Sequence, residues 1–290
     1  MLALFITGGT SGVDYQCALA IARKHPSYQI TIASRTDNGF CNHHQQLPRP
    51  KKDTTFHPLD LGSISNIRAF ATHFSSSDRP PISHLVLNAV LQFTDGEIHK
   101  TADGFETTFG ISHIGHSLLF HLLFPYFAKE ARSRIGNYEW DARPRSEKPD
   151  ANFTKAEKIV RPNAKEAGEG ERSYTTTKLC NVIWTYALAK RFSNLSQESG
   201  GRKLTAMTFN HDLMPGTGLA RASSVIGNFL WHKVMPHILP LLRLLLGSNN
   251  IHTQAESGKN MAFVILGEGD VNALMGCILR ITGRRGRVVK

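Results

Sequence analysis

Leu2-Ala-Leu-Phe-Ile-Thr7 runs directly into Gly8-Gly-Thr-Ser-Gly12, and this junction decides the fold of the chain. The apolar run predicts a buried strand, and the closely spaced glycines predict a tight turn that opens into a helix. Small residues in such a turn let backbone N–H groups at the start of the helix approach a pyrophosphate. The junction therefore predicts a strand, an anion-binding turn and a helix, in that order.

Short β-rich runs alternate with helical patterns along the rest of the chain. Strands are predicted at Leu2–Thr7, Gln29–Ala33, Thr55–Pro58, His84–Leu87 and Leu204–Phe209. Helices are predicted from apolar spacing at Phe105–Phe127, Ser173–Phe192 and Thr253–Leu266. This alternation indicates the α/β class, with a doubly wound parallel sheet flanked by helices in a single domain over residues 1–290.

The composition is that of an ordinary globular protein. The chain has 290 residues, 41% of them hydrophobic, and a net charge of +11. Such a charge suits nucleic acid, an anionic membrane surface or an anionic cofactor. The dense basic cluster lies in the tail, residues 280–290, without a recognisable nucleic-acid-binding module. We therefore predict no nucleic-acid partner.

The cysteines and histidines indicate neither disulfides nor a metal site. The four cysteines are scattered, and no pair of the fourteen histidines has metal-ligand spacing with a third ligand. The apolar start Met1–Ile6 is too short for a signal peptide. We expect an intracellular, cytoplasmic protein with reduced thiols and no metal.

Two segments interrupt the alternation. Residues 137–172 are polar and charged and are predicted as a surface excursion. Residues 219–250 contain the apolar stretch Val225–Leu246 and are predicted as a substrate lid. Two prolines and two cations in that stretch argue against a transmembrane helix. A lid and a peripheral membrane contact are the two interpretations that remain.

Tyr174 and Lys178 lie four residues apart in a predicted helix and so share one face. The lysine ammonium would favour the ionised form of the phenol, which suits proton exchange with a substrate. A bare Tyr-x-x-x-Lys pattern also arises by chance in many helices. The glycine turn far upstream makes a chance pattern a poor explanation here.

These motifs together resemble the short-chain dehydrogenase/reductase family, in its usual order and over nearly the whole chain. The resemblance rests on Thr7–Gly12, Asp60, Asn88-Ala89 and Tyr174–Lys178. Gly110–Leu119 and Leu213–Leu219 are most similar to the branch that contains retinol and protochlorophyllide reductases. The resemblance implies a Rossmann-like fold and a nicotinamide dinucleotide cofactor.

The resemblance also assigns residues to that cofactor. They are Gly8, Ser11, Gly12 and Val13 at the phosphates, Ser34 and Arg35 after the second strand, Asp60 at the adenine, Asn88 beside the ribose, Tyr174 and Lys178 at the nicotinamide end, and Thr217 at the carboxamide or a phosphate. An NAD site usually places a carboxylate after the second strand, whereas the Arg35 guanidinium would pair with a 2′-phosphate. NADP is therefore predicted rather than NAD, with a solvated Arg35 as the alternative.

The implied activity interconverts a carbonyl and an alcohol on a small, fairly apolar molecule. NADPH would deliver hydride to the carbonyl carbon while Tyr174 protonates the oxygen and Lys178 binds the nicotinamide ribose. Members of this fold often pair through the helix that carries the Tyr-Lys motif. A homodimer is an expectation from the resemblance only.

Several positions depart from the family pattern. Asp14 replaces the third glycine and Val90 replaces the glycine of the Asn-Ala-Gly turn. Ser112 stands at an asparagine position, no serine follows the fifth strand, and residues 210–212 read Asn-His-Asp. Asp14 would either weaken cofactor binding or point away and favour the positive end of its helix. These departures support an alternative, in which a catalytically impaired descendant acts as a binding or scaffolding protein.

Overall fold

The computed structural model describes most of the chain. The described residues are 2–37, 54–93, 97–128, 133–139, 155–162, 169–198, 204–210, 214–216, 229–245, 251–267 and 278–280.

Seven strands form one sheet with the order β3-β2-β1-β4-β5-β6-β7. The strands are β1 (Leu2–Thr7), β2 (Tyr28–Ser34), β3 (Thr54–Pro58), β4 (Ile82–Leu87), β5 (Ser133–Glu139), β6 (Leu204–Asn210) and β7 (Ile278–Arg280). The first six pair in parallel, and β7 is an antiparallel edge strand on β6. The α/β class and the doubly wound parallel sheet are confirmed, and β7 is an element that the sequence did not predict.

The helices follow the strands in the expected alternation. They are α1 (Gly12–Lys24), α2 (Ile64–Ser75), α3 (Thr107–Phe109), α4 (His116–Leu123), α5 (Ala156–Val160), α6 (Glu169–Glu198), α7 (Leu239–Leu245) and α8 (Gln254–Leu266). A π-helical stretch, Gly110–Gly115, joins α3 to α4, and a 3₁₀ turn, Phe124–Tyr126, ends this run. The single helix predicted over Phe105–Phe127 is therefore a composite of three helical types.

Two apolar clusters cover the two faces of the sheet, and successive side chains of β1 belong alternately to one cluster and the other. Leu4 and Ile6 pack with residues of α1 and α8, whereas Phe5 packs with residues of α2, α4 and α6. Successive side chains of a strand point to opposite faces, so one apolar run serves two helical layers. The sheet is thereby buried on both faces. Functional side chains are therefore expected at the carboxyl ends of its strands, which the two helical layers do not cover.

The predicted excursion over residues 137–172 is wrong at both ends. Residues 137–139 complete β5, where Glu139 pairs with Asn210 of β6. Residues 169–172 belong to α6, and α5 lies between them with Ile159 buried. The polar residues of these stretches gave no strand or helix pattern in the sequence. The end of β5 is stabilised by backbone pairing with β6, and α5 by the burial of one side chain, Ile159. Residues 140–154 and 163–168 lie outside the described residues.

Candidate active site

The glycine turn after β1 has an open outer surface. Gly8 and Gly12 have φ values of +76° and +65°, a backbone conformation that residues other than glycine rarely adopt. A Cβ added to Gly12 would meet nothing within 4 Å. The exposed Ser11 begins α1 without a side-chain capping hydrogen bond. Its hydroxyl and the first N–H groups of α1 can therefore serve an anion.

Val13 contributes only its backbone to this turn. Its side chain is buried in the cluster between the sheet and α1. The predicted phosphate contact at Val13 is therefore restricted to its amide, which lies in the first turn of α1.

The end of β2 lies beside the glycine turn. The amide of Gly8 donates to the carbonyl of Ala33 at 2.8 Å, and the Thr10 hydroxyl donates to Ser34 Oγ at 3.4 Å. Arg35 follows Ser34 and is exposed. A guanidinium is thus placed in solvent at the carboxyl end of β2, one strand from the turn.

Asp60 organises its own loop after β3. Its Oδ1 accepts a hydrogen bond from the amide of Gly62 at 2.9 Å, and its own amide donates to Asn66 Oδ1 at 2.8 Å. The carboxylate is half-buried. These bonds give Asp60 a role in the loop, and its predicted contact with an adenine stays a prediction.

Tyr174 and Lys178 meet deep inside the molecule. Tyr174 is fully buried and Lys178 is 2% exposed, and Lys178 Nζ lies 5.2 Å from the centroid of the Tyr174 ring. The Lys178 charge opposes the rise that burial causes in the pKa of Asp14 in α1, and it adds to the fall that burial causes in the pKa of His116 in α4. The Tyr-Lys pair therefore lies close enough to the start of α1 for the Lys178 charge to act on Asp14.

Known proteins with similar sequences are short-chain dehydrogenases and reductases. Dehydrogenase/reductase SDR family member 13 of Bos taurus is 30% identical over 184 residues, 63% of this chain and 46% of that protein. The chloroplastic protochlorophyllide reductase of Daucus carota is 28% identical over 286 residues, 91% of this chain and 66% of that protein. Human retinol dehydrogenase 12 is 28% identical over an alignment that covers 64% of this chain and 55% of that protein. The chain thus spans about half to two thirds of these relatives, and no family model matches it.

Solved structures share the fold at low sequence identity. A short-chain dehydrogenase/reductase from Burkholderia phymatum in complex with NAD superposes with a TM-score of 0.58 at 16% identity, over 92% of this chain and 86% of that one. A short-chain type dehydrogenase/reductase from Mycobacterium marinum gives 0.61 at 13% identity, over 91% and 88%. The chain therefore resembles short-chain dehydrogenases and reductases in sequence and shares their fold.

The short-chain dehydrogenase/reductase motif at Asn88 is tied to the end of β1 through Thr7. Thr7 Oγ1 accepts hydrogen bonds from the amides of Asn88 at 3.0 Å and Ala89 at 3.3 Å. His116 Nε2 lies 3.0 Å from the same hydroxyl, and its Nδ1 lies 3.1 Å from the carbonyl of Ser112. Burial lowers the pKa of His116 to about 3, so the ring is neutral. Because a carbonyl only accepts, Nδ1–H donates to Ser112, which leaves Nε2 as an acceptor. The single hydroxyl proton of Thr7 is then shared between this Nε2 and the carbonyl of Val86, which lies 3.2 Å from Thr7 Oγ1.

Asp14 points inward, beneath the glycine turn, and lies in the first turn of α1. It is 8% exposed, and Asn88 Nδ2 donates to its Oδ1 at 2.6 Å. A Cβ added to Gly8 would lie 3.1 Å from Asp14 Oδ2. Burial raises the pKa of Asp14 to about 7, against the opposing effects of the Asn88 bond and the Lys178 charge. The side chain fits because it binds Asn88 within the gap between α1 and the end of β4.

The π-helical stretch carries the family's asparagine position, Ser112, and contacts α6. Asn181 Nδ2 donates to the carbonyl of Ser112 at 3.3 Å, and Asn181 Oδ1 lies 2.8 Å from Nδ1 of the His113 ring. The Ser112 hydroxyl has no hydrogen-bond partner among the described residues. Sequence reasoning missed Asn181 and His116, although Asn181 lies one helical turn beyond Lys178.

The substrate end of the family pattern lacks its serine. Ser133 is the first residue of β5 and therefore lies at the amino edge of the sheet, opposite the Tyr-Lys pair. The last residues of β5, Asn137, Tyr138 and Glu139, include no serine. Ser146 and Thr217 lie outside the described residues, so the predicted contact of Thr217 stays a prediction.

The loop after β6 is held by the lid and by α8. The carbonyl of Gly216 accepts from Gln254 Nε2 at 2.7 Å and lies 3.1 Å from His232 Nδ1. Within the predicted lid, residues 229–245 are described as a π-helical stretch, a 3₁₀ turn and α7. Phe229 and Leu244 of this segment are 60% and 79% exposed.

The described part of the chain has neither a membrane-spanning helix nor a cluster of metal-ligating side chains. In that part of the chain, no helix is long and apolar enough to cross a membrane. The same residues contain no group of three or more His, Cys, Asp and Glu side chains that could hold a metal ion.

Proposed function

We propose that the chain is an NADP-dependent oxidoreductase that interconverts a carbonyl and an alcohol on a small, fairly apolar molecule. The observation that carries the proposal is the buried contact between Lys178 and Tyr174 at the end of the sheet that bears the glycine turn. Relatives named as retinol dehydrogenase and protochlorophyllide reductase support the same reaction class.

The glycine turn fits the pyrophosphate of a dinucleotide. The open surface at Gly12, the uncapped start of α1 and the Ser11 hydroxyl provide space and donors for its oxygens. When bound, the reduced nicotinamide supplies a hydride to the carbonyl carbon of the substrate.

Tyr174 and Lys178 would carry out the proton transfer to and from the substrate oxygen. As the hydride adds, Tyr174 gives its phenolic proton to the carbonyl oxygen, and the alcohol results. The Lys178 ammonium, held over the Tyr174 ring, stabilises the phenolate that remains. In the reverse direction, Tyr174 accepts the alcohol proton.

The preference for NADP rests on Arg35. Its guanidinium stands exposed where a ribose 2′-phosphate would lie, one residue after the Ser34 that contacts the glycine turn. Arg-phosphate pairs are charge-assisted and frequently bidentate. NADH lacks this phosphate, so Arg35 gives it no comparable contact.

A lid and a homodimer complete the proposal. The lid segment contacts the loop after β6 through His232, which suits a cover over an apolar substrate, and its exposed Phe229 and Leu244 leave a peripheral membrane contact as the alternative. Ile183 and Tyr186 are 52% and 39% exposed on the helix that carries the Tyr-Lys pair. These two side chains suit the pairing of two copies through α6.

A fluorescence titration with NADPH and with NADH tests the cofactor proposal. We expect Arg35→Ala to weaken NADPH binding about 10- to 100-fold, as for loss of a charge-assisted hydrogen bond, and to leave NADH binding unchanged. Lys24→Ala, a basic residue at the far end of α1, is the matched control and should not weaken NADPH binding. Equal losses for both nucleotides in the Arg35 variant would contradict the NADP preference.

A binding or scaffolding protein is the second candidate, and one observation favours it. The carboxyl end of β5 offers no serine to hold a substrate oxygen. Loss of one positioned donor to an oxyanion costs about 100- to 1000-fold in rate. Tight NADPH binding with no turnover of any carbonyl substrate would favour this candidate.

A further inference from the structure

Asp14 places a buried carboxyl group directly beneath the glycine turn. It lies in the first turn of α1, where the family pattern has glycine. Its Oδ1 accepts from Asn88, and its Oδ2 lies 3.1 Å from the position of a Cβ on Gly8. The two oxygens therefore face the two backbone segments, the turn after β1 and the turn after β4, that would flank a bound dinucleotide.

The groups around Asp14 leave its charge only partly balanced. Lys178 of α6 is the cation whose charge acts on it, and Asn88 contributes a neutral amide. His116 of α4 is neutral because burial lowers its pKa to about 3. Cys17, one turn further along α1, stays a thiol because burial raises its pKa well above the usual range. Helix α8 packs on α1 through Gly258, against Gln16 and Cys17, and its Lys259 lines a groove with Gln16 on the far side of α1 from the glycine turn, beside Arg23 and Lys24.

A dinucleotide would bring further negative charge to this place. Its pyrophosphate would lie on the open surface of the same turn, and Lys178 would be drawn to the nicotinamide ribose. An ionised Asp14 beneath the turn would then add to the negative charge of the phosphates on its outer surface, while the charge of Lys178 is shared with the ribose. Like charges in a partly desolvated site repel strongly. A protonated Asp14 avoids this repulsion and can still accept the bond from Asn88.

We propose that Asp14 must carry a proton for the dinucleotide to bind, so that cofactor binding is coupled to proton uptake at this residue. The inference rests on the proposed function, because it concerns the same cofactor site. Asp14 is thereby a determinant of cofactor affinity in this chain.

The coupling gives a definite pH dependence. Burial raises the pKa of Asp14 to about 7, so the free protein is ionised at this residue above neutral pH. Each further pH unit then costs up to about tenfold in NADPH affinity, because one proton must be taken up. Between pH 7.5 and 8.5 the dissociation constant should rise about fivefold to tenfold. In Asp14→Asn, which keeps the acceptor for Asn88, it should change less than twofold.

Calorimetric titration of the full chain with NADPH at pH 8, in buffers of different ionisation enthalpy, measures the proton directly. We expect uptake of close to one proton per NADPH in the unmodified chain. Asp14→Asn and Asp14→Gly should take up almost none. Glu106→Gln removes another buried carboxyl, one that caps α3, and should leave the uptake intact.

The outcomes separate this inference from the proposed function. NADPH binding without proton uptake, or with the same uptake in Asp14→Asn, would overturn the role of Asp14 and leave the cofactor site standing. Failure of NADPH to bind at pH 6 and at pH 8, in the unmodified chain and in Asp14→Gly, would overturn both.

Discussion

The carboxyl ends of β1 and β2 present an open glycine turn with an exposed arginine beside it, whereas the carboxyl ends of β5 and β6 pair Glu139 with Asn210 and offer no serine. The first region depends on backbone geometry, which a short motif encodes locally. The second depends on particular side chains at the ends of strands far apart in sequence. The features that we propose for nucleotide binding are thus more complete than those that we propose for holding a substrate oxygen.

Tyr174→Phe separates the two regions most sharply. Loss of the proton donor should reduce turnover of any accepted carbonyl substrate about 100- to 10,000-fold, the usual range for general acid–base catalysis. The buried ring is kept, so the dissociation constant of NADPH should change less than threefold. Steady-state kinetics and fluorescence titration on the same preparation measure both. Parallel losses in binding and turnover would show that the Tyr174 hydroxyl serves cofactor binding, and not proton transfer alone.

Asp14→Asn tests the cost of the buried carboxyl to the fold. The pKa of Asp14 is raised from 3.8 to about 7, so between these pH values the unfolded chain releases a proton that the folded chain keeps. The free energy of unfolding therefore falls as pH rises from about 4 to about 7, by up to roughly 4 kcal/mol. Asp14→Asn should remove this fall.

Urea denaturation at pH 4, 6 and 8 measures the effect of Asp14→Asn. The variant should be the more stable protein at pH 8, and its advantage should vanish toward pH 4. An advantage that is constant across this range would mean that the pKa of Asp14 is not raised in the folded state.

Gly8→Ala and Gly12→Ala form a matched pair at the glycine turn. Both glycines have positive φ, so alanine costs about 1–2 kcal/mol of strain at either position. At Gly8 the new methyl also meets Asp14 and Ala89, whereas at Gly12 it meets nothing within 4 Å. We expect Gly8→Ala to lose about 2–4 kcal/mol of unfolding free energy and Gly12→Ala only the strain. Equal losses would contradict the close packing beneath the turn.

The sequence predicted the elements whose pattern is local. The strand, turn and helix from Leu2 to Lys24 follow from one apolar run and its glycines, and the helix over Thr253–Leu266 agrees with a capping box between Thr253 and Glu256. The Tyr-Lys pair was predicted from a spacing of four residues, which a helix converts into one shared face.

The remaining features depend on contacts between distant segments. The inward direction of Asp14 is fixed by Asn88, 74 residues away, and no pattern around Asp14 encodes that partner. Asn181 meets Ser112 only because α6 lies against a π-helical stretch, which has no distinctive periodicity. The three-residue β7 is defined by antiparallel pairing with β6, since its own sequence is too short to indicate a strand.

Transfer of deuterium from [4-²H]NADPH to an apolar aldehyde, with decanal and benzaldehyde as probes, tests the central claim most directly. We predict that the alcohol product carries deuterium on its carbinol carbon, as seen by mass spectrometry, and that Tyr174→Phe abolishes the label within the same reaction time. NADPH bound to the unmodified chain with no labelled alcohol would contradict the assignment of Tyr174 and Lys178 to catalysis. It would instead identify the chain as a nucleotide-binding protein.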